Sequence, residues 1–456
     1  MNFDDFVYLV FLIFSILFGQ FYRQIENDDK KKKIGALVGF LIIFVVSNLH
    51  ILHILITILV NALIILYIDK RFCHIISFIF SFSYLIFFRL TAYFDIPYPP
   101  SHTNLIQMIL TLKLVGLAYE VNTGIKNART QETDKSSEVL KLDIKDIFYY
   151  SFNYIGVLTG PYFKYKTFLE HLHRPFYKYD NPKKAAMEKV FPWIPIFSSI
   201  FLLTEYCWPI EYTQTEEFKT RSFLYRYWYI WPTFLNFRMR IYIGLLLSEV
   251  VCIMGGMGVY PVFCKSRPGH GPTENLDQLD EICKAESDLK ITQYDYETVH
   301  SINFYGTELE PTLRQGMKNW NMTVQYWLAT CIYKRFPNKQ YRTFATMFVS
   351  GVWHGVHSGY YISVGMIPFG LIVEDIWVEI LLSDEFYVPQ KLGYIIMLFL
   401  KMQFFSYAAL AFSLKDVTKI IHYYNLVYHW MIFFTIFMFR FGRYLVERKR
   451  KYLRNK

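Results

Sequence analysis

From Ile34 to Ile68 the chain is almost uninterruptedly apolar, broken only by Ser47, Asn48, His50, His53, Thr57 and Asn61. A bilayer's hydrocarbon core is crossed by roughly 17 to 25 residues, so this run is too long for one span and reads as a helical hairpin. Shorter runs of the same kind recur along the sequence. They cover Phe6–Phe21, Phe72–Phe88, Leu105–Ala118, Ile147–Pro161, Val190–Cys207, Tyr225–Phe237, Ile241–Tyr260, Phe344–Leu382, Leu392–Leu414 and Val427–Phe441. The Phe344–Leu382 run has room for two helices. With 53% of residues hydrophobic and only 19% charged, a soluble multidomain chain is excluded. The expectation is an all-α polytopic integral membrane protein with about eleven transmembrane helices.

Charge orients these spans. The first apolar run is preceded by Asp4 and Asp5 where a signal peptide would carry basic residues, so it reads as a retained helix. The cluster Asp28-Asp-Lys-Lys-Lys-Lys33 and the basic tail over 442–456 both read as cytosolic, which requires an odd number of spans. The net charge of +10 fits basic loops against anionic lipid heads or a basic entrance for a polyanionic substrate. No nucleic-acid-binding signature accompanies it. Two polar stretches interrupt the pattern, one near 127–145 and one near 265–318, the second opening with the turn-rich Ser266-Arg-Pro-Gly-His-Gly-Pro272. With no internal repeat, a single membrane domain over 1–456 is the economical organisation. The six cysteines form no CxxC pair and no His/Cys ligand spacing, so neither a disulfide framework nor a metal site is expected.

Two places inside this apolar chain carry chemistry. His354 lies in Thr346-Met-Phe-Val-Ser-Gly-Val-Trp-His-Gly-Val-His-Ser-Gly-Tyr-Tyr361. An ionisable side chain in such surroundings costs several kcal/mol without partners, so it marks a functional site by default. Histidine is also the side chain best suited to take a proton near neutral pH. Gly351, Gly355 and Gly359 recur every fourth residue and predict a small-residue face open to a close neighbour or ligand. Ser358 falls one helical turn from His354 and His357 lies at i+3, so either histidine could serve.

The second place is Lys318-Asn-Trp-Asn-Met-Thr-Val-Gln-Tyr-Trp-Leu-Ala-Thr-Cys-Ile-Tyr-Lys-Arg335. On a helix Trp320, Val324, Trp327, Leu328 and Cys331 form one apolar stripe, with Asn321 at its edge and Lys334 and Arg335 closing the C-terminal end. Taken alone, Asn321 reads as a capping or interhelical amide; it also opens a glycosylation sequon, Asn321-Met-Thr323, that two flanking tryptophans on a membrane-entering helix argue against.

Trp320-Asn321, followed about thirty residues later by Trp353-His354-Gly355 in an apolar helix and then Gly359-Tyr360, resembles the paired signature of the membrane-bound O-acyltransferases. The lysophospholipid branch is the nearest match, and Tyr154–Tyr165, Phe237–Tyr242 and Tyr294–Thr298 resemble its inositol-lipid members. The likeness spans about residue 5 to about residue 445, departing at His357-Ser358-Gly359, where that branch often has proline before the glycine.

The resemblance implies helices arranged around a central tunnel with His354 as general base and Asn321 as an amide that holds substrate or steadies the oxyanion. It also implies a multi-pass protein of the endoplasmic reticulum membrane that acylates the sn-2 hydroxyl of lysophosphatidylinositol with a polyunsaturated, arachidonoyl-type chain. Trp320, Trp353, Ser358, Tyr360, Lys334 and Arg335 are the residues expected to contact substrate. Partners would be acyl-CoA as co-substrate, the lysophospholipid and membrane lipids, with no cofactor, metal or nucleic acid.

The chemistry wants these groups: a hydroxyl is a poor nucleophile needing a base, and a thioester carbonyl needs a donor as charge develops. A neutral amide supplies the donor without a second charge in the membrane. None of the 12 histidines is followed by an aspartate five residues on, as in soluble glycerolipid acyltransferases. Rival readings are another acceptor (the choline, ethanolamine or serine lysolipid, a sterol, diacylglycerol or a protein) or a transporter. Against the transporter stand the missing inverted repeat and a Glu374-Asp375 pair with no evident basic partner in another span.

Overall fold

The computed structural model describes residues 3–130, 142–284, 286–383, 386 and 388–454. The described residues are helical almost throughout, and the one sheet among them is a two-stranded antiparallel pairing of Tyr260–Pro261 with Tyr294–Asp295. The chain folds as two compact units. Residues 1–194, 244–301 and 321–335 form the first, and residues 195–243, 302–320 and 336–456 the second.

The first unit is built on helices Phe3–Arg23, Asp28–Ser47, Ile51–Tyr67, Cys73–Arg89 and Ser101–Thr130. The long apolar run breaks into two helices at Asn48, whose backbone stands at φ 47°. Its core is mostly aliphatic, with Ile43, Ile54, Ile58, Ile65, Leu114 and Leu117 among the buried side chains, beside rings such as Tyr22, Tyr150 and Phe163. Buried polar groups run between the helices. Asn61 bonds Ser77 and Ser81, Gln107 donates to Thr57, Thr103 donates to Ser47, and a ring nitrogen of His102 meets the Val46 carbonyl. In hydrocarbon such groups have no water to turn to, so each must find its partner on a neighbouring helix.

Ile147–Pro161 is not a span. The helix covers only Ile144–Phe152, started by a capping box between Asp143 and Asp146. Asn153 leaves helical backbone at φ −54°, ψ 126°, and Gly156 (φ 73°) and Gly160 (φ 87°), in the left-handed region, with Pro161, which lacks a donor, keep the following residues out of a helix. Of the polar stretch near 127–145, residues 131–141 lie outside the described residues; Ser101–Thr130 runs into its start. The stretch near 265–318 carries short helices at Leu276–Ile282, Glu286–Ile291, Phe304–Leu309 and Leu313–Lys318. Leu279, Ile282 and Leu289 bury against Phe176, Tyr177 and Tyr260.

The second unit contains Arg342–His354, Ser358–Leu381, Gln390–Leu414, Val417–Leu426 and Trp430–Arg454. Its core is more aromatic, with Phe218, Tyr229, Phe404, Tyr407 and Tyr423 buried. The basic tail continues the last helix, with Arg443 paired to Glu447 and Arg450 to Glu379; residues 455–456 lie outside the described residues.

Two expected spans, Tyr225–Phe237 and Ile241–Tyr260, are instead joined. Apart from the short helix Phe223–Trp228, one helix runs over Ile230–Gly255, because Arg238 and Arg240 interrupt hydropathy without breaking helix geometry. Among the described residues, five helical stretches are long and apolar enough to cross a membrane: Phe6–Arg23, Asp28–Tyr67, Ser101–Lys126, Pro182–Gln214 and Gln390–Leu414. That is fewer than the eleven expected. The other apolar helices are short, as in Arg342–His354, or carry charge, as Ser358–Leu381 does with Glu374 and Asp375.

Candidate active site

Helix Arg342–His354 ends on the histidine itself. Gly355 caps it, its N–H reaching the Gly351 carbonyl at 3.0 Å, and a new helix starts at Ser358. The break changes the expected geometry: His354 and Ser358 belong to two helices, and Gly351, Gly355 and Gly359 do not share one face. Their smallness is used separately. A Cβ on Gly355 would lie 2.5 Å from the Tyr360 ring, and one on Gly359 would lie 2.1 Å from the Ala411 carbonyl oxygen. Gly359 N–H and Ser358 Oγ both donate to the Lys415 carbonyl, at 2.8 and 3.2 Å, tying this turn to the end of helix Gln390–Leu414.

The two histidines are now distinguishable. His354 is half-buried, while His357 is exposed. The His354 ring sits among three aromatic rings, with Trp353 and Phe412 centroids each 4.8 Å away and Tyr360 at 6.1 Å; the Phe412 contact is edge-to-face at 83°. Tyr360 in turn packs on Phe412 at 4.6 Å, and the His357 ring lies 5.9 Å from Tyr360.

Trp320 and Asn321 lie in the bend between Leu313–Lys318 and Met322–Leu328, so Trp320 is not part of the helical stripe. Val324, Trp327, Leu328 and Cys331 are buried as that stripe requires, and Trp327 donates its indole N–H to the Leu112 carbonyl at 3.0 Å. Trp320 instead lies parallel to Phe237 (6.3 Å, 9°) and against Tyr242 (5.7 Å). Asn321 occupies the N-cap position, in left-handed conformation at φ 45°, ψ 56°, and its side chain makes no capping bond. Asparagine tolerates that conformation better than most residues.

The two basic residues expected to meet substrate diverge. The helix closes through a π-helical turn, Ala329–Tyr333. Lys334 is exposed. Arg335 is committed to Asn122 (3.0 Å) and Thr123 (2.7 Å), and lies over the Tyr119 ring. Among the described residues no group of three or more His, Cys, Asp or Glu side chains is placed to hold a metal ion.

Several charged residues near Trp320 were not legible as part of the site. Arg238 and Tyr242, in a segment picked out above for its family likeness and not for its charge, both meet Glu308. The Glu374-Asp375 pair does have a basic partner, supplied by the polar stretch: Arg314 binds Asp375 at 2.7 and 2.9 Å, and Glu374 accepts the backbone N–H groups of Leu313 and Arg314. Only an acidic pair inside an apolar helix hinted at this.

The profile described as "MBOAT, membrane-bound O-acyltransferase family" matches residues 101–415. Over 449 residues the chain is 36% identical to the membrane-bound acylglycerophosphatidylinositol O-acyltransferase of Drosophila melanogaster, covering 94% of this chain and 90% of the relative. It is 36% identical to the Xenopus laevis enzyme of the same description, over 100% of this chain and 97% of the relative. Against the Homo sapiens enzyme so described the identity is 34%, over 94% and 91%. The chain belongs to the membrane-bound O-acyltransferase family.

Proposed function

We propose that this protein transfers the acyl group of acyl-CoA to the sn-2 hydroxyl of lysophosphatidylinositol in the endoplasmic reticulum membrane, preferring a polyunsaturated, arachidonoyl-type donor and needing no cofactor. The observation that carries the acceptor assignment is near full-length identity of 34–36% to fly, frog and human proteins described as acylglycerophosphatidylinositol O-acyltransferases.

In this reading His354 is the general base. Its ring accepts the hydroxyl proton as the oxygen attacks the thioester carbonyl. The new C–O bond forms, and the oxyanion is held by the Asn321 amide N–H. Collapse breaks the C–S bond, and the CoA thiolate takes the proton back from His354. Atoms and charge balance without a covalent enzyme intermediate. The aromatic enclosure around His354 supports its role over that of the exposed His357, because it limits water at the base. Trp320, Trp353, Ser358, Tyr360, Lys334 and Arg335 stand as substrate-contact candidates, with Arg335 the weakest because its guanidinium is already bound.

The test uses membranes containing the protein, labelled arachidonoyl-CoA, and the inositol, choline and ethanolamine lysolipids at equal surface concentration. The inositol lipid is expected to be acylated fastest. Equal rates, or a preference for choline, would assign another acceptor while leaving the base assignment intact.

A further inference from the structure

Residues 303–320, the segment that ends on Trp320, are tied down by an unusual number of charged groups for an apolar protein. Lys401, on helix Gln390–Leu414 and only 3% exposed, donates to the carbonyl oxygens of Thr307 (2.9 Å), Glu308 (3.1 Å) and Glu310 (2.6 Å). That accounts for all three ammonium donors. Glu374 receives the N–H groups of Leu313 and Arg314, and Asp375 holds the Arg314 guanidinium.

Glu308 differs from the rest, because its carboxylate is aimed at the floor beneath Trp320. Its Oε1 accepts from Arg238 Nε and from the Tyr242 hydroxyl, both at 2.7 Å. Arg238 and Tyr242 are one turn apart on helix Ile230–Gly255, 6% and 0% exposed. Tyr242 and Phe237, both on that helix, form the surface on which the Trp320 indole rests. A pair of charge-assisted bonds to one oxygen fixes the Tyr242 ring in rotation and height more firmly than packing alone. Fixing that ring fixes Trp320, and Trp320 is covalently next to Asn321.

We propose that Glu308 is a positioning residue for acyl transfer: acting through Arg238 and Tyr242, it sets the ring platform under Trp320 and so the place of the Asn321 amide. The proposal rests on the reading of Asn321 given above. It does not make Glu308 a catalytic residue, since every contact described for its carboxylate is with Arg238 and Tyr242.

The experiment measures kcat and KM on full-length purified protein in lipid nanodiscs, per folded molecule, for the wild type, Glu308→Ala, Glu308→Gln and Tyr242→Phe. Misplacement of a positioned group by about 1 Å costs on the order of a hundredfold. Glu308→Ala is therefore expected to lower kcat by about tenfold to a hundredfold with KM for acyl-CoA within twofold. Glu308→Gln keeps an oxygen for both donors and should recover most of the rate. Tyr242→Phe loses one hydroxyl and keeps the ring, so it should show a smaller fall in kcat at unchanged KM.

A merely structural role would reduce the yield of folded protein and leave kcat per folded molecule unchanged; that result, or a glutamine variant no better than alanine, overturns the proposal. If Glu308→Ala does not fold, Tyr242→Phe decides, and wild-type kcat in that variant overturns it. The ratio of variant to wild type is read with whichever lysolipid the wild type uses fastest, so a failed acceptor assignment does not imitate a failed positioning role. An Asn321→Gly variant with wild-type kcat removes the underlying reading separately.

Discussion

Gly359→Ala tests the tightest helix contact next to the histidine. The added Cβ would stand 2.1 Å from the Ala411 carbonyl oxygen and 2.8 Å from the Lys415 Cα. Both are backbone atoms, so no side chain can swing aside. The two helix ends must separate, at an overpacking cost of about 1–3 kcal/mol. Separation also stretches the 2.8 Å bond from Gly359 N–H to the Lys415 carbonyl, a further loss of about 1 kcal/mol. The same helix supplies its own control, since a Cβ on Gly365 would meet nothing within 4 Å. Gly365→Ala should be neutral or stabilising by up to about 1 kcal/mol, because alanine loses less backbone entropy than glycine. The two substitutions, identical in chemistry and six residues apart, should therefore differ by about 2–5 kcal/mol. At about 2–4 °C per kcal/mol for a unit of this size, their melting midpoints separate by on the order of 10 °C. Thermal unfolding of detergent-purified variants followed by size-exclusion chromatography measures this directly. Midpoints within about a degree of each other would refute the backbone-contact argument.

The remaining predictions concern the chemistry. His354→Ala should lower acyl transfer by about a hundredfold to ten-thousandfold with normal membrane insertion, whereas His357→Ala should retain most activity; the reverse pattern in a labelled acyl-CoA assay would move the base to His357. Asn321→Gly removes the amide while keeping the left-handed backbone that alanine would strain, and should cut turnover by about a hundredfold to a thousandfold at unchanged melting temperature. An active but thermally weakened Asn321→Gly protein would return the residue to a structural role.

Much of the architecture is written in hydropathy, because a bilayer tolerates few alternatives to a long apolar helix. The Asn48 break in the Ile34–Ile68 run and the two helices inside Phe344–Leu382 follow from length alone. What hydropathy cannot read is the backbone. Ile147–Pro161 is apolar enough for a span, yet the chain leaves the helix at Asn153 and Gly156, Gly160 and Pro161 keep it from resuming, and counting apolar residues passes over them.

The reverse error occurs at Arg238 and Arg240. Charge there suggested a boundary between spans, whereas each arginine is simply carried by a continuous helix, Arg238 with a carboxylate to meet. At the site, the residue types were legible and their grouping was not. His354, Trp353 and Tyr360 come together with Phe412, a residue far along the chain that no spacing could nominate. Arg314 and Asp375 likewise pair over a separation that periodicity does not reach.

The polar bonds threaded through the first unit have a consequence for assembly. Greasy helices in lipid are free to slide along one another, since a shift by one turn exchanges one hydrocarbon contact for another. Asn61 with Ser77 and Ser81, Gln107 with Thr57, and Thr103 with Ser47 act as detents on that sliding. They give helices Asp28–Ser47, Ile51–Tyr67, Cys73–Arg89 and Ser101–Thr130 one axial setting. An apolar replacement at Asn61 would leave every span as insertable as before, yet allow the bundle to settle a notch out of step.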